Sequence, residues 1–178
     1  MDKIAVIYMS KYGATKKYAE WLGEDLSADV IELKNAKIDH IEKYDLIIYG
    51  GGIYASGIAG FSYISKNYDR LKNKKIIVFG VGASPFSEEW LTALKEHNLK
   101  GHLSDIPCFY FRGAWNEERM SWADRMLGRL LKKMVAKKDP AKYEPWEAAL
   151  METIGSSRDW TDRSQIKQIV EYVKNHSI

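Results

Sequence analysis

The stretch Ile4-Ala5-Val6-Ile7-Tyr8-Met9-Ser10-Lys11-Tyr12-Gly13-Ala14-Thr15 decides the architecture. Its first six residues are a short, continuously apolar run, which suits a strand covered on both faces. A polar turn with one glycine follows. Tyr18, Ala19, Trp21, Leu22 and Leu26 then recur at helical spacing. The order is strand, loop, helix.

The same alternation continues outward. Strand-like runs fall at 29–33, 46–49, 76–81 and 106–111, and helical patterns at 60–71 and 87–98, with a short turn or helix at 38–43. Strands separated by crossovers make a parallel sheet the economical topology, each pair joined by a right-handed connection. The class is a doubly wound five-stranded α/β sandwich. After the fifth strand the pattern changes: 117–138 reads as one long helix, an irregular stretch surrounds Pro140 and Pro145, and a last helix covers 162–175. Only 38 residues follow Pro140, below the roughly 40 that fold alone, so one domain over 1–178 is expected.

Four loops leave the carboxyl ends of these strands, where a doubly wound sheet receives ligands. Ser10, Lys11, Tyr12, Gly13, Ala14 and Thr15 bring hydroxyls, a glycine and helix-opening amides together, a phosphate-attracting set. An ordinary capped helix would use the same residues. The spacing is neither GxGxxG nor GxxxxGK[ST], which sets aside the dinucleotide and triphosphate loops. Gly50-Gly51-Gly52-Ile53-Tyr54-Ala55-Ser56-Gly57 reads as a loop whose glycines admit a flat ligand beside Tyr54, or else as a turn with Tyr54 at the edge of the core. Gly82-Ala83-Ser84-Pro85 follows the fourth strand. Arg112 and Trp115 follow the fifth, as candidates to meet an anionic substrate and to flank its entrance.

Through the opening stretch, Tyr44-Asp45-Leu46-Ile47-Ile48-Tyr49-Gly50 and Ile53-Tyr54-Ala55, the chain resembles the flavodoxin-like family over about residues 3–115. The resemblance implies a 2-1-3-4-5 parallel sheet and FMN, with residues 10–15 around the phosphate and 52–57 and 82–85 around the ring. Trp122-Ala123-Asp124-Arg125-Met126, Lys133-Met134-Val135 and Asp159-Trp160-Thr161-Asp162 look most like the branch containing menaquinone-dependent protoporphyrinogen dehydrogenase. That implies quinone as acceptor and protoporphyrinogen IX as a candidate substrate. Ala14 departs from the hydroxyl common in flavodoxins and removes one phosphate donor. The basic chain also departs from the acidic face of small flavodoxins, which weakens docking to a basic reductase.

Composition supports a globular chain: 178 residues, 46% hydrophobic, 29% charged and 4 Pro exclude a disordered or collagen-like polymer. The single Cys108 excludes an intrachain disulfide and points to a reducing compartment and a buried, inert thiol. His40, His97, His102 and His176 lack metal-ligand spacing, so no metal is expected. No apolar stretch approaches roughly 18 residues, so a cytoplasmic protein is expected, peripheral at most to the inner face of a membrane.

The whole chain carries +3, yet residues 117–138 alone hold seven basic and three acidic side chains, a net +4. Met120, Ala123, Met126, Leu127, Leu130, Leu131, Met134 and Val135 form an apolar stripe on the same segment. Either the stripe covers the sheet, or it meets an anionic membrane or partner. Nucleic acid is not expected, because no aromatic recognition surface accompanies the cations. Three function classes remain open: an FMN-dependent oxidoreductase working on a small reduced substrate or with a protein redox partner, a non-catalytic electron carrier, and a flavin-free interaction module. The chemistry of the first belongs to the isoalloxazine, so no protein nucleophile is required.

Overall fold

The opening run is β1 (Ile4–Met9) and leads through Ser10–Gly13 into α1 (Ala14–Leu26). In chain order there follow β2 (Asp29–Glu32), the short α2 (Ile38–Ile41), β3 (Leu46–Tyr54), β4 (Gly57–Ile58), α3 (Ser62–Lys66), α4 (Tyr68–Leu71), β5 (Lys75–Gly82), α5 (Glu88–Asn98) and β6 (Cys108–Arg112). Beyond the expected core come β7 (Ala114–Asn116), α6 (Trp122–Val135), α7 (Pro145–Thr153), β8 (Ser157–Asp159) and α8 (Lys167–Asn175). The structure is a computed structural model and describes residues 3–54, 56–153 and 157–176.

The main sheet runs β2-β1-β3-β5-β6, all parallel, with β4 paired antiparallel to the end of β3. Numbering its five parallel strands alone gives the expected 2-1-3-4-5. Alternate side chains serve two cores, as a pleated strand buried on both faces requires. Ala5, Ile7, Ile47, Tyr49, Ile76 and Val78 join the core under α3, α4 and α5. Val6, Tyr8, Ile48, Ile77 and Phe79 join the other, with Tyr18, Ala19 and Leu22 of α1 and Ile169 and Val170 of α8. Each fully buried Leu or Ile contributes about 1.5–3 kcal/mol, so α1 and α8 are held chiefly by their apolar faces.

Several boundaries depart from expectation. Gly50–Gly52 do not form a loop: they continue β3, paired to Tyr8 and Met9 on one side and to Phe79, Gly80 and Val81 on the other. The missing side chain at Gly50 makes room for Phe79, whose ring would lie 2.0 Å from an added Cβ. The expected helix over 60–71 breaks at Asn67, whose amide donates to the Tyr63 carbonyl at 2.8 Å and competes with the helical ladder. The expected helix over 117–138 begins late, because residues 114–116 pair with 157–159 and Asn116 caps a 3₁₀ turn at Glu117–Arg119. The stretch around Pro145 is not irregular but opens α7, a proline being tolerated in a first helical turn.

Candidate functional site at the carboxyl edge of the sheet

Because the five strands are parallel, β1, β3, β5 and β6 all end at one edge. In the first loop the Gly13 N–H donates to Ser10 Oγ at 3.1 Å, and Gly13 takes φ 100°, a left-handed turn that glycine adopts without strain. The first intrahelical bond runs from the Lys17 N–H to the Gly13 carbonyl. The amides of Ala14, Thr15 and Lys16 therefore open the helix without helical acceptors and carry its partial positive charge. No atom lies within 4 Å of a Cβ built on Gly13, so the turn faces open space. Thr15 is buried on the inner side of α1.

Lys11 and Tyr12 turn toward α6. The Lys11 ammonium and the Tyr12 hydroxyl both donate to Asp124 Oδ2. The Ser121 N–H donates back to the Tyr12 hydroxyl at 3.3 Å, and Ser121 Oγ caps the helix by accepting from the Asp124 N–H at 3.2 Å. The hydrogen bonds from Lys11 and then Tyr12 hold the Asp124 carboxyl below the usual aspartate range, and the Asp124 bond in turn raises Lys11. Sequence reasoning missed Asp124 as a site residue, although Ser121-x-x-Asp124 carries the N-cap signal that places it at a helix start.

Of the second loop, only its end turns. Ile53 and Tyr54 pair with Ile58 and Gly57 in a hairpin whose Ser56 takes φ 66°; Ala55 lies outside the described residues. Asn98 of α5 fastens the hairpin, donating to the Ser56 carbonyl and accepting from the Ile58 N–H, each at 2.8 Å. Ile53 packs inward over Gly80. The exposed Tyr54 ring lies over Gly52, where an added Cβ would approach it to 3.0 Å. Lys11 Nζ stands 6.0 Å from the Tyr54 ring centroid, which joins the first loop to the second.

At the end of β5, the Gly82 carbonyl accepts from the Gly113 N–H at 2.7 Å, and a Cβ on Gly113 would meet Ala14 Cβ at 3.4 Å. The loops after β1, β5 and β6 thus touch. Ser84 is buried and its carbonyl accepts from the Tyr110 hydroxyl, while Pro85 and Phe86 are exposed. Arg112 is engaged in the fold: its guanidinium lies 4.1 Å from the Trp160 ring centroid and donates to the Ala83 carbonyl at 3.1 Å. Trp115 lies in β7, and its buried Nε1 has no hydrogen-bond partner among the described residues.

The large apolar side chains left exposed are not scattered. Among the described residues they are Met9, Tyr54 and Phe86 at this edge, Val30 on the edge strand β2, and five residues of α6. An edge with helix-opening amides on one side and uncovered apolar side chains on the other suits a ligand with an anionic tail and a flat apolar body. Two cavities lie elsewhere: one of about 380 Å³ is lined by Leu46, Lys75, His102 and Tyr172 at the opposite edge, and a second by Lys3, His40 and Tyr44. At the carboxyl edge, Lys11 and Tyr12 tie the first loop to Asp124 of α6.

Comparison with known proteins adds the family. An uncharacterised protein of Methanocaldococcus jannaschii is 33% identical over 87 residues, which are 47% of this chain; the chain spans 57% of that relative's length. Among solved structures, a putative flavoprotein from Bacteroides eggerthii superposes with a TM-score of 0.47 at 18% identity, covering 78% of this chain and 100% of that one. The Trp repressor binding protein of Bacillus subtilis gives 0.48 at 23% identity over 64% of this chain and 85% of that one. A flavoprotein from Lactobacillus acidophilus in complex with FMN gives 0.43 at 18% identity over 63% and 93%. Residues 5–142 match the flavodoxin domain family, and with a parallel sheet in the 2-1-3-4-5 order and a hydroxyl-bearing loop at the first helix start, the chain belongs to that family.

Proposed function

We propose that the protein is an FMN-dependent oxidoreductase whose cofactor sits at the carboxyl edge of the sheet. The observation that carries this is the coincidence, at one edge, of the open Gly13 turn with its helix-opening amides and of the exposed side chains Met9, Tyr54 and Phe86. The donor set fits the group: Ser10 Oγ and the helix-opening amides of Ala14, Thr15 and Lys16 would hold the phosphate, and Lys11 and Tyr12 would add a cation and a hydroxyl to it. Tyr54 and Phe86, both exposed, would give apolar surface to the ring. When bound, FMN supplies an acceptor of one or two electrons. Lys11 and Tyr12 already donate to Asp124, so a phosphate held there would compete with that carboxylate for the same donors.

The finer reading gives the electron donor as a small reduced substrate, with protoporphyrinogen IX as the candidate, and the acceptor as a quinone. Each electron pair, with its two protons, leaves the substrate and converts one quinone to its quinol. Support comes from the family and from the likeness of Trp122–Met126 and Asp159–Asp162 to the protoporphyrinogen dehydrogenase branch. The experiment is reconstitution with FMN, read by quenching of flavin fluorescence, then anaerobic incubation with protoporphyrinogen IX and a soluble menaquinone analogue. Porphyrin fluorescence rising faster than without protein is the expected result. Flavin binding without porphyrin formation leaves a carrier or another substrate; no flavin binding overturns the proposal.

A further inference from the structure

Of the nine large hydrophobic residues exposed among the described residues, five lie on α6: Trp122, Met126, Leu127, Leu130 and Met134, between 47% and 76% exposed. They recur at helical spacing and make one stripe along a helix about 21 Å long, at 1.5 Å per residue. This stripe does not cover the sheet. No residue of α6 belongs to either core, and only Gly128 and Val135 of the helix are buried. Lys133 on the helix and Lys137 just past its end are exposed beside the stripe, at helical spacing from Leu130 and Met134.

Charge selects the occupant. A second copy of the chain would bring two segments of +4 face to face, and like charges across an apolar contact oppose association. An apolar stripe edged with cations matches a helix lying in the plane of a lipid interface, where apolar side chains enter the headgroup boundary and Lys or Arg meet anionic lipid. Trp122, the most exposed of the five at 76%, opens the helix, and an indole suits the boundary between headgroup and acyl chain.

We propose that the outer face of α6 docks the protein on an anionic lipid bilayer, with Trp122, Met126, Leu127, Leu130 and Met134 entering the headgroup boundary. The contact is peripheral: among the described residues no helix is long and apolar enough to cross a membrane. Asp124, on the inner side of the same helix, binds Lys11 and Tyr12 of the first loop. Docking therefore sets the carboxyl edge beside the lipid, within reach of a quinone dissolved there. In that last respect the inference rests on the proposed function, whereas lipid binding itself requires no flavin.

The test is cosedimentation of the full chain with vesicles of phosphatidylcholine mixed with phosphatidylglycerol, and with vesicles of phosphatidylcholine alone. The expected result is binding to the anionic vesicles at low ionic strength, release by salt, and little binding to the neutral ones. Leu130→Glu with Met134→Glu should weaken binding at least tenfold, and Lys133→Ala and Lys137→Ala by about fivefold each. Lys72→Glu, at the end of α4, should change it little. All these side chains are exposed, and circular dichroism checks that the fold persists. Absence of binding to anionic vesicles, equal binding to neutral ones, or indifference to Leu130→Glu with Met134→Glu overturns the proposal. So does concentration-dependent self-association that the same pair abolishes while no vesicle is bound, which assigns the face to a second copy. Flavin fluorescence read in parallel separates the two proposals, since either binding can fail while the other persists.

Discussion

Gly50 shows how one missing side chain can be misread from sequence. Three glycines in a row after an apolar run signal a loop, because the sequence does not reveal which neighbouring ring takes the vacant volume. Phe79, on the adjacent strand, takes it. Gly50→Ala should therefore cost about 1–3 kcal/mol through overpacking, while Gly57→Ala, whose Cβ would meet only the Tyr54 carbonyl at 3.4 Å, should stay within about 0.5 kcal/mol. Urea unfolding of both variants measures the difference, and equal stabilities would show that Phe79 repacks freely. Cys108 was legible as an inert thiol because it sits in an apolar run. It is buried in β6, and burial pushes the thiol up to about 12. Iodoacetamide at neutral pH should label it only as fast as the chain opens, and urea should accelerate labelling sharply; mass spectra over a time course decide. Rapid labelling of the native chain would mean that the β6 edge is open to solvent.

At the scale of elements, what repeats locally was legible and what depends on distant partners was not. Periodicity gave β1, α1, β5 and α5 to within a residue or two, and Ser87 accepting from the Trp90 N–H confirms the start of α5. It could not give β7 and β8, whose three-residue strands pair across some forty positions and are too short to show a period. Nor could it say that the apolar face of α6 turns outward, since a stripe has the same spacing whether it is covered or not. The tie between α6 and the first loop is equally nonlocal and rests on one carboxylate. Lys11 and Tyr12 lower the Asp124 carboxyl, so this group adds stability in full above the ordinary aspartate value. That contribution disappears as pH falls through the lowered value of the folded state. The Ser121 amide, which donates to Tyr12, should shift in the NMR spectrum over that acidic window and hold still in Asp124→Asn. At neutral pH the same variant should be cut by trypsin several-fold faster within 117–138. A Ser121 signal indifferent to both acid and substitution would mean that α6 stays seated without Asp124.

For the whole molecule, the sheet order followed from strand count and family likeness, and the two cores followed from the strand alternation, because a sheet covered on both faces leaves few other arrangements. The carboxyl edge was legible for the same reason: parallel strands must end together. The tie of its first loop to α6 was not, since Asp124 is more than a hundred residues from Lys11. Under the proposed function, this tie would shape the response of the whole protein to a ligand. An anion that binds the folded chain and not the unfolded one stabilises it by mass action, after deducting the cost of parting Asp124 from its donors. At FMN about a hundredfold above its Kd, the gain is about 2.7 kcal/mol. For a chain of this size that is roughly 5–11 °C in Tm, at about 2–4 °C per kcal/mol. Riboflavin has the ring without the phosphate and cannot displace Asp124 from Lys11 and Tyr12, so its shift should be clearly smaller at the same concentration. Asp124→Asn should narrow the gap from the other side: the apo protein loses a tie, the phosphate meets less competition, and the FMN shift grows. Differential scanning calorimetry of wild type and variant with each ligand tests all three expectations. Equal shifts from FMN and riboflavin would remove the first loop from the binding site, whatever the ring does at Tyr54.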